Sequence, residues 1–165
     1  MSLHIFIKGN VKGVTENIIN TINKEDYEHF FVNPHLNISP EQGVLDARKY
    51  WTKYIHKGYK IVIITNSDFF LKEINILIML NYLSIEDRNK LFKGYKDGLV
   101  LDSIYNKRMF SNEFGNLNLN IRCFDLELNE ECNLDIEFGF ECKTFDKIIN
   151  FQNELQEAVA WWNYD

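Results

Sequence analysis

The segments FFVNPHLNISPEQ (residues 30–42) and GYKIVIITNSDFFLKEINILIML (residues 58–80) decide how this chain folds. His29 to Val32 reads as a brief apolar strand. Ser39-Pro40-Glu41-Gln42 then gives a strong helix start. Ser39 can accept from an open backbone amide, Pro40 suits the first helical position, and Gln42 can reach back to the cap residue's amide. Val44, Ala47, Trp51 and Tyr54 follow at helical spacing, and Gly58 closes the helix. Tyr59 to Thr65 is a continuous apolar run, the pattern of a strand buried on both faces in a parallel sheet. The spacing of Phe70, Ile74, Leu77 and Ile78 predicts a helix over 68–82, and Ser84 with Asp87 starts a third, short one.

Working outward, His4 to Lys8 alternates as a strand, and the turn cluster Gly9 to Gly13 opens an amphipathic helix through Ile18, Ile19 and Ile22. After Gly98 the pattern changes to short alternating segments, Leu99 to Tyr105, Leu117 to Leu128 and Leu134 to Glu141, which predict an antiparallel meander. Asn106 to Asn116 is the expected mobile loop. Thr144 caps a final helix in which Phe145, Ile148, Ile149, Leu155 and Val159 share a face, ending in Trp161 and Trp162. The expectation is one α/β domain: an alternating unit over 1–97, a strand meander over 98–143 and a C-terminal helix over 144–165.

Composition narrows the function classes. A chain of 165 residues with 45% hydrophobic content can bury a sizeable core. A net charge of −6 argues against a broad basic surface, and hence against nucleic acid or anionic membrane as partner. The apolar runs are too short for a membrane span, and the first residues lack the apolar segment of a secretion signal. Cys123, Cys132 and Cys142 form no CxxC pair and read as buried thiols of a reducing compartment. A cytoplasmic protein is therefore expected.

The same residues carry a resemblance. ABC-type ATPases of the stand-alone, AAA-like kind found in phage-defence and SMC-related systems have an apolar strand ending in Glu-Glu-Pro-Glu, then Leu-Asn-Leu-His-Pro, a helix, and a strand ending in Thr-His-Ser. Val32-Asn33-Pro34-His35 is similar to the first motif, Leu36-Asn37-Ile38-Ser39-Pro40 to the second, and Thr65-Asn66-Ser67 to the third. The chain thus resembles the C-terminal half of such an ATPase, with degenerate Walker B and H-loop motifs and no Walker A. The resemblance implies a partial P-loop-ATPase-like sheet with flanking helices. Gly9 to Ile22 is read first as the family's signature segment and its helix, with a phosphate-binding loop as the alternative.

ATP hydrolysis needs a lysine-bearing phosphate loop, an acid for Mg²⁺ and a carboxylate to orient water. No GxxxxGK[ST] occurs, Val32 and Asn33 stand where the family has two carboxylates, and Asn66 stands where it has a histidine. His35 is the one titratable group in the degenerate motif, and a packing or surface role is the plainer account. Ser67 lacks a GxSxG elbow and reads as a helix cap. His4, His29 and His56 have no metal-site spacing. Glu127, Glu130, Glu131, Asp135 and Glu137 read as a solvated acidic face. The expected protein is a pseudo-ATPase with no cofactor and no catalytic residue. It would bind another protein, such as the head of an intact ATPase, as a decoy or inhibitor of phage origin, with Trp161 and Trp162 as interface anchors. The alternatives are a subunit of a split ATPase completed in trans, or a metal-dependent hydrolase acting through acids such as Asp26, Asp68 or Glu73.

Overall fold

The computed structural model describes residues 2–7, 27, 29–32, 39–94, 105, 110, 119–135 and 138–145, with backbone alone at 29–32. In chain order the elements are β1 (Ser2–Ile7), β2 (His29–Val32), α1 (Pro40–Lys57), β3 (Lys60–Thr65), α2 (Asp68–Tyr82), α3 (Ile85–Gly94), β4 (Ile121–Asp125), β5 (Glu130–Glu131), β6 (Leu134–Asp135) and β7 (Gly139–Phe140). The main sheet has the order β2-β3-β1-β4-β5. Its first four strands are parallel and β5 is antiparallel to β4. β6 and β7 form a separate antiparallel pair.

The helix starts follow from local chemistry. Ser39 Oγ accepts from the Gln42 amide at 3.2 Å, and Gly58 adopts φ 65° with its N–H on the Tyr54 carbonyl. Gln42 does not complete a capping box: its side chain donates to Asp46 Oδ1 at 3.0 Å, one helical turn along. Ser84 accepts from the Asp87 amide and donates to the Asp87 carboxylate, which fixes the start of α3.

β3 reads apolar throughout because both of its faces are covered. Ile61 and Ile63 join Leu3, Ile5, Ile7, Ile121 and Cys123 on the face that packs against Trp51 and Tyr54 of α1 and Phe70, Ile74, Leu77 and Ile78 of α2. Right-handed crossovers explain why these helices share a face. The steps β2 to β3 and β3 to β4 run in one direction across the sheet, so both lay their helices on the same side. The opposite face carries Phe6 stacked on Phe124 at 5.1 Å, with the Arg122 guanidinium 4.8 Å over Phe124. There the Tyr27 hydroxyl lies 3.0 Å from His4 Nδ1. Burial and then the nearby Arg122 hold the His4 pKa below its ordinary value.

The meander expectation needs correction. Leu117 to Leu128 contributes β4, which joins the main sheet parallel to β1, and among the described residues only the short β4–β5 and β6–β7 pairs are antiparallel. Alternation identifies a half-buried strand but carries no information on direction. Of Leu99 to Tyr105 only Tyr105 is described, as a bend, and of the final helix only a turn over 143–145. Among the described residues no helix is long and apolar enough to cross a membrane.

One buried charge ties the two large helices together. Glu73 of α2, 4% exposed, accepts from Arg48 Nε of α1 at 2.7 Å and from the Tyr105 hydroxyl at 3.3 Å. Arg48 also lies 5.1 Å over the Tyr105 ring. Removing one partner strands a desolvated carboxylate, whereas removing both leaves an apolar contact. Arg48→Ala is therefore expected to cost about 3 kcal/mol, and Arg48→Met with Glu73→Leu to recover most of that loss, as read from urea unfolding midpoints.

Candidate functional site: the carboxyl edge of the sheet

Parallel register brings the ends of four strands to one edge. Val32 pairs with Ile64, and Ile7 pairs with both Thr65 and Asp125. The step from β1 leads to β2 on one side, while the step from β3 leads across to β4 on the other. The strand order therefore reverses between β1 and β4, the kind of switch point outside which open α/β sheets hold ligands.

The residues singled out from the sequence distribute as follows. Val32 closes β2, and Thr65, Asn66 and Ser67 follow β3 on the neighbouring strand, so the structure brings Val32 and Asn66 to the same edge. Asn33 and His35 lie outside the described residues, as do Asp26, Glu137, Trp161 and Trp162. Thr65 is buried, and its hydroxyl accepts from the Ser67 amide at 3.1 Å. Ser67 Oγ accepts from the Phe70 amide at 3.2 Å and so caps α2. It is also closed in from above. A Cβ at Gly43, in the first turn of α1, would stand 2.6 Å from Ser67 Oγ. The hydroxyls of this edge thus hold backbone, the role expected of Ser67.

Asp125, which the sequence reading did not single out, is the buried carboxylate of this edge, 1% exposed at the end of β4. Its Oδ1 accepts from the amides of Glu127 at 3.1 Å and Leu128 at 3.2 Å, and its Oδ2 from the Thr144 amide at 3.2 Å and the Cys142 thiol at 3.4 Å. Burial alone would raise its pKa, but hydrogen bonds from Thr144, the Leu128 amide and the Cys142 thiol hold it below the ordinary value. The local half of this arrangement is an Asx turn. The other half comes from residues 17 and 19 positions away, which no sequence pattern marks.

Several of the remaining described candidates are engaged structurally. Glu73 is held by Arg48, and Asp68 pairs with Lys72 one turn along α2. Within the acidic face, Glu131 takes both Arg122 nitrogens at 2.7 Å and Glu130 pairs with Lys143 at 2.8 Å. All three cysteines are free and buried, as expected. Hydrogen bonding to Cys123, with burial, pushes the Cys132 thiol up to about 12, and hydrogen bonding to Cys132 with burial pushes Cys142 up as well. Protonated, buried thiols are poor nucleophiles and poor ligands. Among the described residues no group of three His, Cys, Asp or Glu side chains is placed to hold a metal ion. No family model, no curated protein and no solved structure matches this chain.

Asp125 carries a pH signature. Because its folded pKa is depressed, its contribution to stability is fully present above its ordinary value of 3.8 and is lost as pH falls through the folded value. Asp125→Asn keeps one acceptor oxygen and is expected to cost about 2 kcal/mol at neutral pH. The gap to the parent protein should narrow in urea titrations carried to about pH 3.

Proposed function

We propose that this chain is a non-catalytic, ABC-ATPase-like protein that acts by binding another protein, in the first place the head of an intact ATPase, as a decoy or inhibitor. The observation that carries this reading is the commitment of the polar groups at the carboxyl edge. Asp125 spends both oxygens on a turn and on the 142–144 segment, while Thr65 and Ser67 spend their hydroxyls on the start of α2. A group that orients water or holds Mg²⁺ must have free lone pairs directed at the reacting atoms. These groups face backbone amides and, at Asp125, the Cys142 thiol as well, which supports a scaffold role for the edge.

The position of β1 bears on the two readings of Gly9 to Ile22. These residues lie outside the described set, but the strand leading into them stands at the switch point with β4. That placement supports the phosphate-loop position for the segment over the signature position, with the phosphate lysine replaced. It also weighs against completion in trans. A partner chain supplying a phosphate loop would have to add its strand at an edge of the sheet, because the central place is taken by β1.

Two measurements test the proposal. Thermal unfolding with saturating ATP and Mg²⁺ should be unchanged, since a ligand at about a hundred times its Kd would add about 2.7 kcal/mol of stability, a shift of several degrees. Affinity capture with this chain as bait in its source organism should recover an ABC-type ATPase whose turnover falls when the chain is added. A clear ATP-dependent rise in Tm, or a captured set without any ATPase, would overturn the reading.

A further inference from the structure

Between the first half of α2 and the β6–β7 hairpin lies a cleft of about 430 Å³, a volume within the range of ligand pockets. Its geometry is fixed by a two-way clamp. Asn75 Nδ2 donates to the Phe140 carbonyl at 3.0 Å, and the Phe140 amide donates back to Asn75 Oδ1 at 2.8 Å. The neighbouring Gly139 has φ 84°, and a Cβ there would lie 2.3 Å from Asn75 Cγ, so the hairpin approaches α2 at a distance only glycine permits. Buried Leu71, Phe140 and Cys142 form the apolar lining.

The rim has a different character. Asp135 Oδ1 accepts from the Phe138 amide at 3.1 Å, which fixes the turn and leaves the Phe138 ring 76% exposed beside the opening. Among the described lining residues, Asp68, Asp135 and Glu141 are carboxylates and Lys72, paired with Asp68, is the cation. An apolar lining, a projecting aromatic ring and an acidic rim complement an apolar side chain flanked by positive ones. Such pairing buries the apolar anchor and leaves the charges at the wet periphery, where they select the partner.

We propose that this cleft binds a partner protein through a segment carrying an apolar side chain flanked by Lys or Arg. The inference rests on the protein-binding reading of the chain and supplies the chemistry of the bound segment. The experiment uses the ¹⁵N-labelled full chain and two short synthetic peptides of matched Leu and Phe placement, one carrying Lys and the other Glu. The Lys peptide is expected to shift the amide resonances of residues 68–75 and 133–142 saturably, and the Glu peptide to leave them in place. Phe138→Ser and Glu141→Lys, both at exposed positions, should each weaken the Lys peptide at least about tenfold, a loss of 1.4 kcal/mol. Equal binding of the two peptides, absence of shifts with the Lys peptide, or shifts insensitive to both substitutions would overturn the assignment. If the chain still captures an ATPase while the cleft variants bind it unchanged, the cleft assignment fails and the protein-binding reading stands.

Discussion

The burial of β3 on both faces is the constraint from which the rest of the structure follows. Ile61, Val62, Ile63 and Ile64 are each at most 1% exposed. Removing four such side chains from water contributes about 8 kcal/mol at about 2 kcal/mol each. That gain exists only if elements cover each face. On one face the cover is α1 and α2, which lie on the β2-to-β3 and β3-to-β4 steps, both running the same way across the sheet. Those crossovers, with the oppositely directed step from β1 to β2, also place the four parallel strand ends at one edge and create the reversal of strand order between β1 and β4. The location of the candidate site is thus a consequence of covering one apolar strand.

The edge that results is stabilised by its own polar groups. Thr65, Ser67 and Asp125 satisfy amides that the strand-to-helix and strand-to-turn transitions leave open. Gly43 shows how closely this is built, because α1 comes so near the cap of α2 that a methyl group would displace Ser67. Freeing any of these groups for chemistry would expose a buried amide to the cost of an unmade hydrogen bond. The same logic applies to Glu73, whose carboxylate locks α1 to α2 through Arg48. Ser67 and Glu73, which look available in the sequence, are in the folded chain polar fasteners of an apolar core.

The sequence revealed the elements whose signals are local. Ser39, Pro40 and Gly58 mark both ends of α1, Ser67 and Ser84 mark the starts of α2 and α3, and the uninterrupted apolar run marks β3. What stayed hidden depends on partners distant in the chain. The alternation in Leu117 to Leu128 announced a strand, yet its parallel pairing with β1 is set by the crossover from β3. Asp125 looked like one acid among several because Cys142 and Thr144 reach it only through the fold. Glu73 could be taken for an available acid because its position on α2 does not disclose that Arg48 of α1 lies opposite. The Gly139 and Asn75 contact belongs to the same class, a close approach between residues 64 positions apart that neither residue advertises.

That contact also separates what the fold requires from what it leaves free. The β6–β7 pair has two residues in each strand, too little to hold a hairpin in place by its own ladder. Asn75 supplies the missing constraint by offering an amide side chain to the Phe140 backbone in the manner of a neighbouring strand, and Gly139 removes the atom that would prevent it. The hairpin is therefore oriented by hydrogen bonds and close approach, without needing its exposed side chains for support. Phe138 contributes almost nothing to the core and keeps its ring in water, where burial against a partner would be favourable. A fold that fixes the turn and leaves its largest apolar side chain uncovered has a surface whose composition can change at little cost to stability. At the carboxyl edge, by contrast, Thr65, Ser67 and Asp125 each support the next element and have no such freedom.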